Sequence, residues 1–111
     1  MKKFAIPTEN GKLCSHFGHC QQFAIINVSD NALTHESYLN PPPHEPGLLP
    51  TWLGQQGVTN IIAGGIGQKA IQLFKQQNIE VTVGALAKSP KQLVEDFLAN
   101  DLVSGANACD H

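Results

Sequence analysis

The chain has 111 residues, of which 41% are hydrophobic and 14% charged, and its formal net charge is −2. A chain of this length suits one domain and can bury a core without metals or disulfides to hold it together. It contains no arginine, the usual bidentate reader of phosphate and guanine, and no basic stripe. The composition therefore predicts a globular domain with no nucleic-acid partner.

The apolar segments and the cysteines indicate the cellular location of the protein. The apolar run behind the first lysines covers only Phe4 to Ile6, too short for a signal peptide, and no segment approaches the ~18 continuous apolar residues of a membrane span. The three cysteines, at positions 14, 20 and 109, are too few and odd in number for a disulfide scaffold. We expect a cytoplasmic protein with reduced thiols and no membrane partner.

The first part of the chain predicts three strands in a meander. Lys3 to Pro7 and Phe23 to Val28 are rich in β-forming residues, and Ala32 to Leu39 can pair with the second of them as a hairpin. A proline-rich stretch at 40–46, NPPPHEP, then interrupts the pattern because consecutive prolines supply no amide donors.

The predicted hairpin strand also has a predicted orientation. Because successive side chains of a strand point to opposite faces, Leu33, His35 and Ser37 should share one face. Thr34, Glu36 and Tyr38 should occupy the other face.

The rest of the chain predicts helices alternating with strands. The predicted elements are a helix over Pro50 to Gln56, a strand over Val58 to Ala63, a helix that ends at Gln77, a strand over Ile79 to Val83, and a helix capped by Ser89. This order predicts a mixed sheet covered by helices, a three-layer α/β domain over residues 1–103 with a flexible tail over 104–111. Right-handed crossovers would bring the loops after the parallel strands to one edge, where ligands usually bind.

The densest group of soft ligand residues is CSHFGHC, Cys14 to Cys20. Thiolate and imidazole together suit zinc, iron or copper(I). Extended residues two apart share a face, so Cys14 and His16 can point the same way, and Gly18 permits a bend that returns His19 or Cys20 toward them. C-x5-C is not a zinc-finger spacing. The residues alone leave open a closed metal site, a looser ligand-binding loop, or a loop with a structural role only.

A glycine-rich turn, GGIG at 64–67, follows a predicted strand and opens a predicted helix. The amides and the dipole of a helix start favour an anion, and Lys69 could add positive charge. Gly65-x-Gly67-x-x-Ala70 formally matches the dinucleotide fingerprint, but the strand that follows does not end in an acidic residue for a ribose. Anion contact and tight strand–helix packing both remain open interpretations.

Other candidate sites are weaker. Cys109-Asp110-His111 can capture a metal or can be incidental residues of a tail. A Cys20 nucleophile beside a neighbouring histidine lacks a visible third orienting group, and the sequence has no G-x-S-x-G motif.

Two of these blocks together resemble a known family. SHFG at 15–18, followed by Cys20 and by Phe23 at a strand, and NIIAGGIG at 60–67, resemble the signature of the dinitrogenase iron-molybdenum cofactor biosynthesis family, which includes NifX-like carriers and the C-terminal domain of NifB-like proteins. The resemblance covers about residues 2–103. It implies a ribonuclease-H-like α/β/α fold with a mixed five-stranded sheet. It also implies binding of an iron-sulfur or iron-molybdenum type cluster, or its precursor, for storage and transfer.

The resemblance also implies site residues. By this likeness His16 is the first candidate cluster contact, and the glycine-rich turn could hold the anionic cluster. The predicted cofactor-binding residues are His16, Phe17, Gly18, Gly65, Gly67 and Gln68. The predicted metal ligands are Cys14, His16, His19 and Cys20, with iron or zinc as an alternative cargo. His44, on the proline-rich connection, could close over the pocket.

The sequence therefore predicts a non-enzymatic carrier, a monomer or weak homodimer, that serves cluster donor and acceptor proteins of a cofactor assembly pathway. Two alternatives stay open. One is a small thiol-based enzyme or redox sensor that uses Cys20. The other is a partner-binding module whose cysteines are only structural.

Overall fold

The fold is given by a computed structural model, which describes residues 2–14, 21–30, 32–40, 48–83 and 88–99. Its strands are β1 (Lys2–Glu9), β2 (Lys12–Leu13), β3 (Gln22–Ser29), β4 (Ala32–Leu39), β5 (Asn60–Ile62) and β6 (Glu80–Thr82). Its helices are α1 (Leu48–Gln55), α2 (Gln68–Gln76) and α3 (Pro90–Leu98). The described residues end at Ala99, so the predicted boundary at residue 103 and the tail over 104–111 lie outside them.

The strands form one mixed sheet. Its main path runs β4-β3-β1-β5-β6, in which β3 is antiparallel to β1 and β4 while β5 is parallel to β1 and β6. The short β2 adds a sixth strand, antiparallel to the end of β1. The predicted mixed five-stranded sheet is therefore confirmed, with one short strand that was not predicted.

Helices cover both faces of the sheet. The α1/α2-side core takes buried side chains from β1, β3 and β5 and from both of those helices, including Ala5, Phe23, Ile25, Leu53, Ile61 and Phe74. The α3-side core takes the alternate side chains of the same central strands, including Phe4, Ile6, Ala24, Ile26, Ile62, Leu93 and Val94. This arrangement confirms the predicted three-layer, ribonuclease-H-like α/β/α architecture. Within the described ranges, no helix is both long and apolar enough to cross a membrane.

The end of α1 sets the entry into β5. Gly57 has φ 81°, and its amide donates to the carbonyl of Gly54, while the amide of Val58 donates to the carbonyl of Leu53. This pair of bonds is a Schellman motif, which needs a left-handed residue at the position that glycine occupies. Leu53 and Val58 are both buried in the α1/α2-side core, so the turn and the core fix the direction of the next strand together.

α2 also ends in a Schellman motif, just before β6. Asn78 takes the left-handed conformation with φ 60°, and its amide donates to the carbonyl of Lys75. The amide of Ile79 donates to the carbonyl of Phe74, and both side chains lie in the α1/α2-side core. The two parallel strands are thus each introduced by a helix end of the same kind.

A β-bulge in the hairpin of β3 and β4 corrects the predicted orientation. Asn27 pairs with His35 but Val28 pairs with Leu33, which leaves Thr34 as the extra residue of β4. The Thr34 hydroxyl donates to the carbonyl of Asn27 over 3.3 Å. The extra residue breaks the alternation, so Leu33 packs in the α3-side core, on the opposite face from His35. The prediction that these two share a face was wrong.

Candidate functional site

The candidate site lies at the edge of the sheet where the parallel strands β1, β5 and β6 end, which we call the carboxyl edge. In the register of β1 and β5, Phe4 is level with Asn60 and Ala5 with Ile61. Just after the end of β5, the amide of Ala63 donates to the carbonyl of Thr82 over 2.9 Å and keeps the ends of β5 and β6 together. The carboxyl ends of adjacent parallel strands are the usual position of ligands in α/β sheets.

The CSHFGHC segment is attached to this edge at both of its ends. The amide of Cys14 donates to the carbonyl of Pro7 over 2.9 Å, and the amide of Gln21 donates to the carbonyl of Thr8 over 2.8 Å. Carbonyls of consecutive strand residues point to opposite sides of the strand. The CSHFGHC segment therefore begins on the side of β1 where β2 and β5 lie, and it ends on the side where β3 lies. His16, Phe17, Gly18, His19 and Cys20 themselves lie outside the described residues.

Cys14 is the one predicted metal ligand that the described part of the chain contains. Its side chain is 4% exposed and free of any disulfide, and its thiol donates to the carboxylate of Glu9 over 3.8 Å. The described ranges hold no group of three or more His, Cys, Asp or Glu side chains that could bind a metal. The ligand set of Cys14, His16, His19 and Cys20 thus stays a prediction.

The glycine-rich turn follows β5 at the same edge. Gly65 and Ile66 are buried, and Ile66 anchors the turn in the α1/α2-side core, whereas Gly67 and Gln68 are exposed. Gly67 has φ −67° and ψ 151°, which any residue can adopt. A Cβ atom added to it would meet no heavy atom of the described residues within 4 Å. Tight packing therefore does not explain the glycine at 67, which leaves open space beside the start of α2.

Two helices begin at the carboxyl edge, one on each face of the sheet. α2 follows β5 and α3 follows β6, and neither helix has an acidic residue in its first turn. No side chain caps α2 at Gly67, and Lys69 and Lys91 lie in the first turns. Helix starts carry partial positive charge, so this edge favours an anion.

The start of α3 is fixed by polar contacts. The Ser89 hydroxyl accepts a hydrogen bond from the amide of Gln92 over 3.4 Å. The Asp96 carboxylate accepts from the side-chain amide of Gln92 over 2.7 Å and pairs with the ammonium group of Lys88 over 3.1 Å. The hydrogen bonds from Gln92 and then Lys88 lower the pKa of Asp96. These contacts fix the positions of Lys88 and Ser89, the two residues before α3.

The proline-rich connection also begins at this edge. The side-chain amide of Gln22 donates to the side-chain oxygen of Asn40 over 3.1 Å, which brings the start of β3 next to the residue after β4. His44 lies in the connection, outside the described residues. The ends of the proline-rich connection and of the CSHFGHC segment are therefore neighbours.

Sequence reasoning missed the hairpin of β1 and β2. Asn10 and Gly11 have φ 55° and 80°, the left-handed pair of a two-residue hairpin turn. The dipeptide Asn-Gly between Thr8-Glu9 and Lys12-Leu13 is the signal that could have found it. The hairpin matters because it turns the chain back along β1 and so brings Cys14 to Glu9 at the carboxyl edge.

The fold and this edge define a small three-layer α/β protein that combines a Cys/His segment with a glycine-rich turn. The family model for dinitrogenase iron-molybdenum cofactor proteins matches residues 1–100. The chain belongs to this family. It is also 31% identical over 86 residues to the uncharacterised protein MJ0580 of Methanocaldococcus jannaschii, and the match covers 73% of each chain.

Solved structures share the fold. The crystal structure of PH0822 matches with a TM-score of 0.85 and 24% identity over 92% of this chain and 93% of that one. The apo form of the orange protein from Desulfovibrio gigas matches with a TM-score of 0.77 and 21% identity over 96% and 95%. Both likenesses span nearly the whole domain, so this chain has the same fold as these proteins.

Proposed function

We propose that this chain is a non-enzymatic carrier that binds an iron-sulfur or iron-molybdenum type cluster, or its precursor, at the carboxyl edge and passes it on. One observation carries this proposal: the two segments with the family motifs are attached to adjacent parallel strands at the same edge. Cys14 is bonded to the end of β1 on the side of β5, and Gly64 to Gly67 follow β5 directly.

The electrostatics of the edge support an anionic cargo. Iron-sulfur clusters are held by thiolate or imidazole ligands, and hydrogen bonds and nearby charge tune them. α2 and α3 direct their positive ends toward the edge, and the described first turns contain lysine but no acid. The open space at Gly67 would let a bulky cluster approach the start of α2.

The proposed ligands are drawn from the Cys14 to Cys20 segment. His16 contributes most, and two or three of Cys14, His16, His19 and Cys20 bind the cargo. A carrier has to release what it binds, so an incomplete ligand set suits it better than a closed tetrahedral site. Iron or zinc alone is the alternative cargo for the same ligands.

Transfer requires partners. In this proposal a cluster donor protein loads the carboxyl edge and an acceptor protein of the same cofactor assembly pathway unloads it. Both would approach the edge where the chain exposes Gly67 and Gln68.

The first test is purification without oxygen, followed by metal analysis and a visible spectrum. The proposal predicts bound iron with charge-transfer absorption, or uptake of a reconstituted iron-sulfur cluster. A protein that takes up neither cluster nor metal, and whose stability does not change when iron or zinc is added, would instead favour the partner-binding module.

A second test uses the open space at position 67. Gly67→Val keeps an allowed backbone conformation but fills the space beside α2, so it should weaken cluster uptake while the far-UV spectrum stays that of the parent. Gln76→Val, an exposed change at the other end of α2, is the control. Equal uptake by both variants would argue against a cluster at this turn.

A further inference from the structure

The strand β4 forms one edge of the sheet. It has eight residues and, among the strands that the structure describes, it pairs with β3 alone. Proteins usually protect such an edge with lysine, proline or a bulge, which keep other chains from pairing with it. β4 contains neither lysine nor proline, and its bulge lies at Thr34, so residues 35–39 form a regular and unprotected edge.

The direction of the free backbone groups of β4 follows from the hydrogen bonds of β1. The carbonyl of Thr8 accepts on the side of β3, and that of Pro7 accepts on the opposite side. In antiparallel pairs, the residues that bond to each other alternate with those that do not. Even-numbered residues of β1 and β3 therefore bond to each other, and odd-numbered residues of β3 bond to odd-numbered residues of β4. Glu36 and Tyr38 direct their backbone amides and carbonyls away from the sheet.

We propose that a second copy of this chain pairs with this edge, antiparallel, about a two-fold axis that passes through Ser37. In this register Glu36 of each copy lies opposite Tyr38 of the other. Both residues direct their backbone groups outward, so each such pair exchanges two backbone hydrogen bonds. The contact uses the same surface of both copies, so it closes at a dimer and does not continue into a filament.

The side chains at this edge complement each other in the same register. Within one chain the Tyr38 hydroxyl donates to the carboxylate of Glu36 over 3.4 Å. Tyr38 is 42% exposed and is the one exposed large hydrophobic residue of the described ranges. The pairing sets each tyrosine opposite a glutamate of the other copy as well, on one face of the joint sheet. It thus covers an exposed ring and keeps a carboxylate beside each hydroxyl.

Other two-fold registers fit less well. An axis at Glu36 would set two carboxylates opposite each other, which destabilises a strand pair, and would bring Tyr38 against the bulge at Thr34. An axis at Tyr38 would pair Glu36 with Asn40, which lies beyond the end of β4. The register about Ser37 pairs the whole regular stretch 35–39 with itself.

The dimer leaves both carboxyl edges open. β4 runs in the same direction as β1, because each of them is antiparallel to β3. Antiparallel pairing of two copies of β4 therefore directs the two carboxyl edges to opposite ends of the joint sheet. The contact consists mainly of one strand pair, so it gives a weak homodimer, and it does not depend on what the carboxyl edge binds.

Sedimentation equilibrium and amide hydrogen exchange of the metal-free full chain test the dimer. The parent should show a monomer–dimer equilibrium, and the amides of Glu36 and Tyr38 should exchange more slowly as the protein concentration rises. Ser37→Lys sets two ammonium groups against each other at the axis and should weaken dimerisation by about fivefold or more. Gln72→Lys, which adds the same charge at an exposed position of α2, should leave it unchanged.

A disulfide tests the register. Facing residues of a non-hydrogen-bonded pair have Cα atoms about 4.5 Å apart, within the range of a disulfide. Ser37→Cys should therefore form a covalent dimer on mild oxidation, with a link between the two copies of position 37 that mass spectrometry identifies. In His35→Cys, on the same face of β4, the two new thiols would lie about 13 Å apart along the strands and should not link.

The outcomes decide for or against the dimer. A link at position 37 but not at position 35, together with slower exchange of the Glu36 and Tyr38 amides, supports the proposal. A parent that stays monomeric at millimolar concentration overturns it. A dimer that Ser37→Lys does not weaken, or equal linking of the two cysteine variants, would place the contact elsewhere and would also overturn it.

Discussion

The backbone amide of Leu13 donates a hydrogen bond of 3.0 Å to the carbonyl of Lys88 and thereby joins β2 to the segment that enters α3, two residues before the helix begins. Leu13 is buried in the α3-side core, and Cys14 follows it directly. Lys88 is in turn paired with Asp96 on α3. The start of the CSHFGHC segment is thus tied to both the sheet and a helix, although Cys14 and Lys88 are 74 positions apart in the sequence.

The first prediction concerns Asp96. Its pKa is lowered by the hydrogen bonds from Gln92 and Lys88, so the ionised form is favoured in the folded state. A lowered carboxyl pKa stabilises the fold above the ordinary value of about 3.9, and this contribution is lost as the pH falls through the folded-state value. We expect Asp96→Asn to unfold more readily in urea than the parent at pH 7, and the difference to shrink below about pH 4.

Glu95→Gln is the matched control, because it removes the same charge from the next residue of α3, which has no ion pair among the described residues. Its effect should be smaller at pH 7. A difference between Asp96→Asn and the parent that stays constant from pH 7 to pH 3 would contradict the role given to this carboxylate.

The second prediction concerns Gly57. Its φ of 81° belongs to the left-handed region, where a side chain is strained. Gly57→Ala should lower the free energy of unfolding by about 1 kcal/mol, because the Schellman motif that starts β5 needs this conformation. Urea unfolding monitored by circular dichroism measures it.

Gly67→Ala provides the comparison. Its φ of −67° suits alanine and nothing lies within 4 Å of the new Cβ atom. The lower conformational entropy of the unfolded chain stabilises this variant, and the poorer helix cap destabilises it by a similar amount. The free energy of unfolding should therefore change by less than about 0.5 kcal/mol. Equal losses for the two variants would refute the distinction between a turn glycine and a surface glycine.

The strands and helices were largely predictable because their signals are local. β4 has the predicted bounds, and Ser89 caps α3 as predicted. α1 begins two residues before Pro50. β5 is shorter than the predicted strand, although the flanking residues Val58 and Ala63 also pack in the α1/α2-side core. The bulge at Thr34 was not predictable, because only the register between two strands defines it.

The candidate site also has one part that the sequence predicts and another that it does not. The sequence places the glycine-rich turn between β5 and α2 by simple succession, and the turn is found there. The burial of Cys14 and its contact with Glu9 depend on β2, whose two residues are too few for periodicity to indicate. The bond between Leu13 and Lys88 joins distant parts of the chain and has no sequence signal.

The third prediction uses the burial of Cys14. Because its side chain is 4% exposed, alkylation should require local opening and should be at least about 100-fold slower than in unfolded protein. Mass spectrometry of the peptide that contains Cys14 measures the rate, and the urea-unfolded chain is the reference. Labelling at the unfolded rate would show that this thiol is accessible.

The same experiment addresses the alternative that relies on Cys20. Rapid labelling of Cys20 at mildly acidic pH would indicate a lowered thiol pKa and would favour a thiol-based enzyme or redox sensor. A Cys20 that stays unreactive until the protein unfolds would exclude that alternative.

The central claim is that the CSHFGHC segment at the carboxyl edge holds a metal cluster, with His16 as the main contact. The most direct test is an anaerobic titration of iron-sulfur cluster or iron into His16→Ala, with His35→Ala on the exposed face of β4 as the control. The account predicts that His16→Ala loses most of the binding and its absorption bands while His35→Ala keeps both. Unchanged binding by His16→Ala would contradict it.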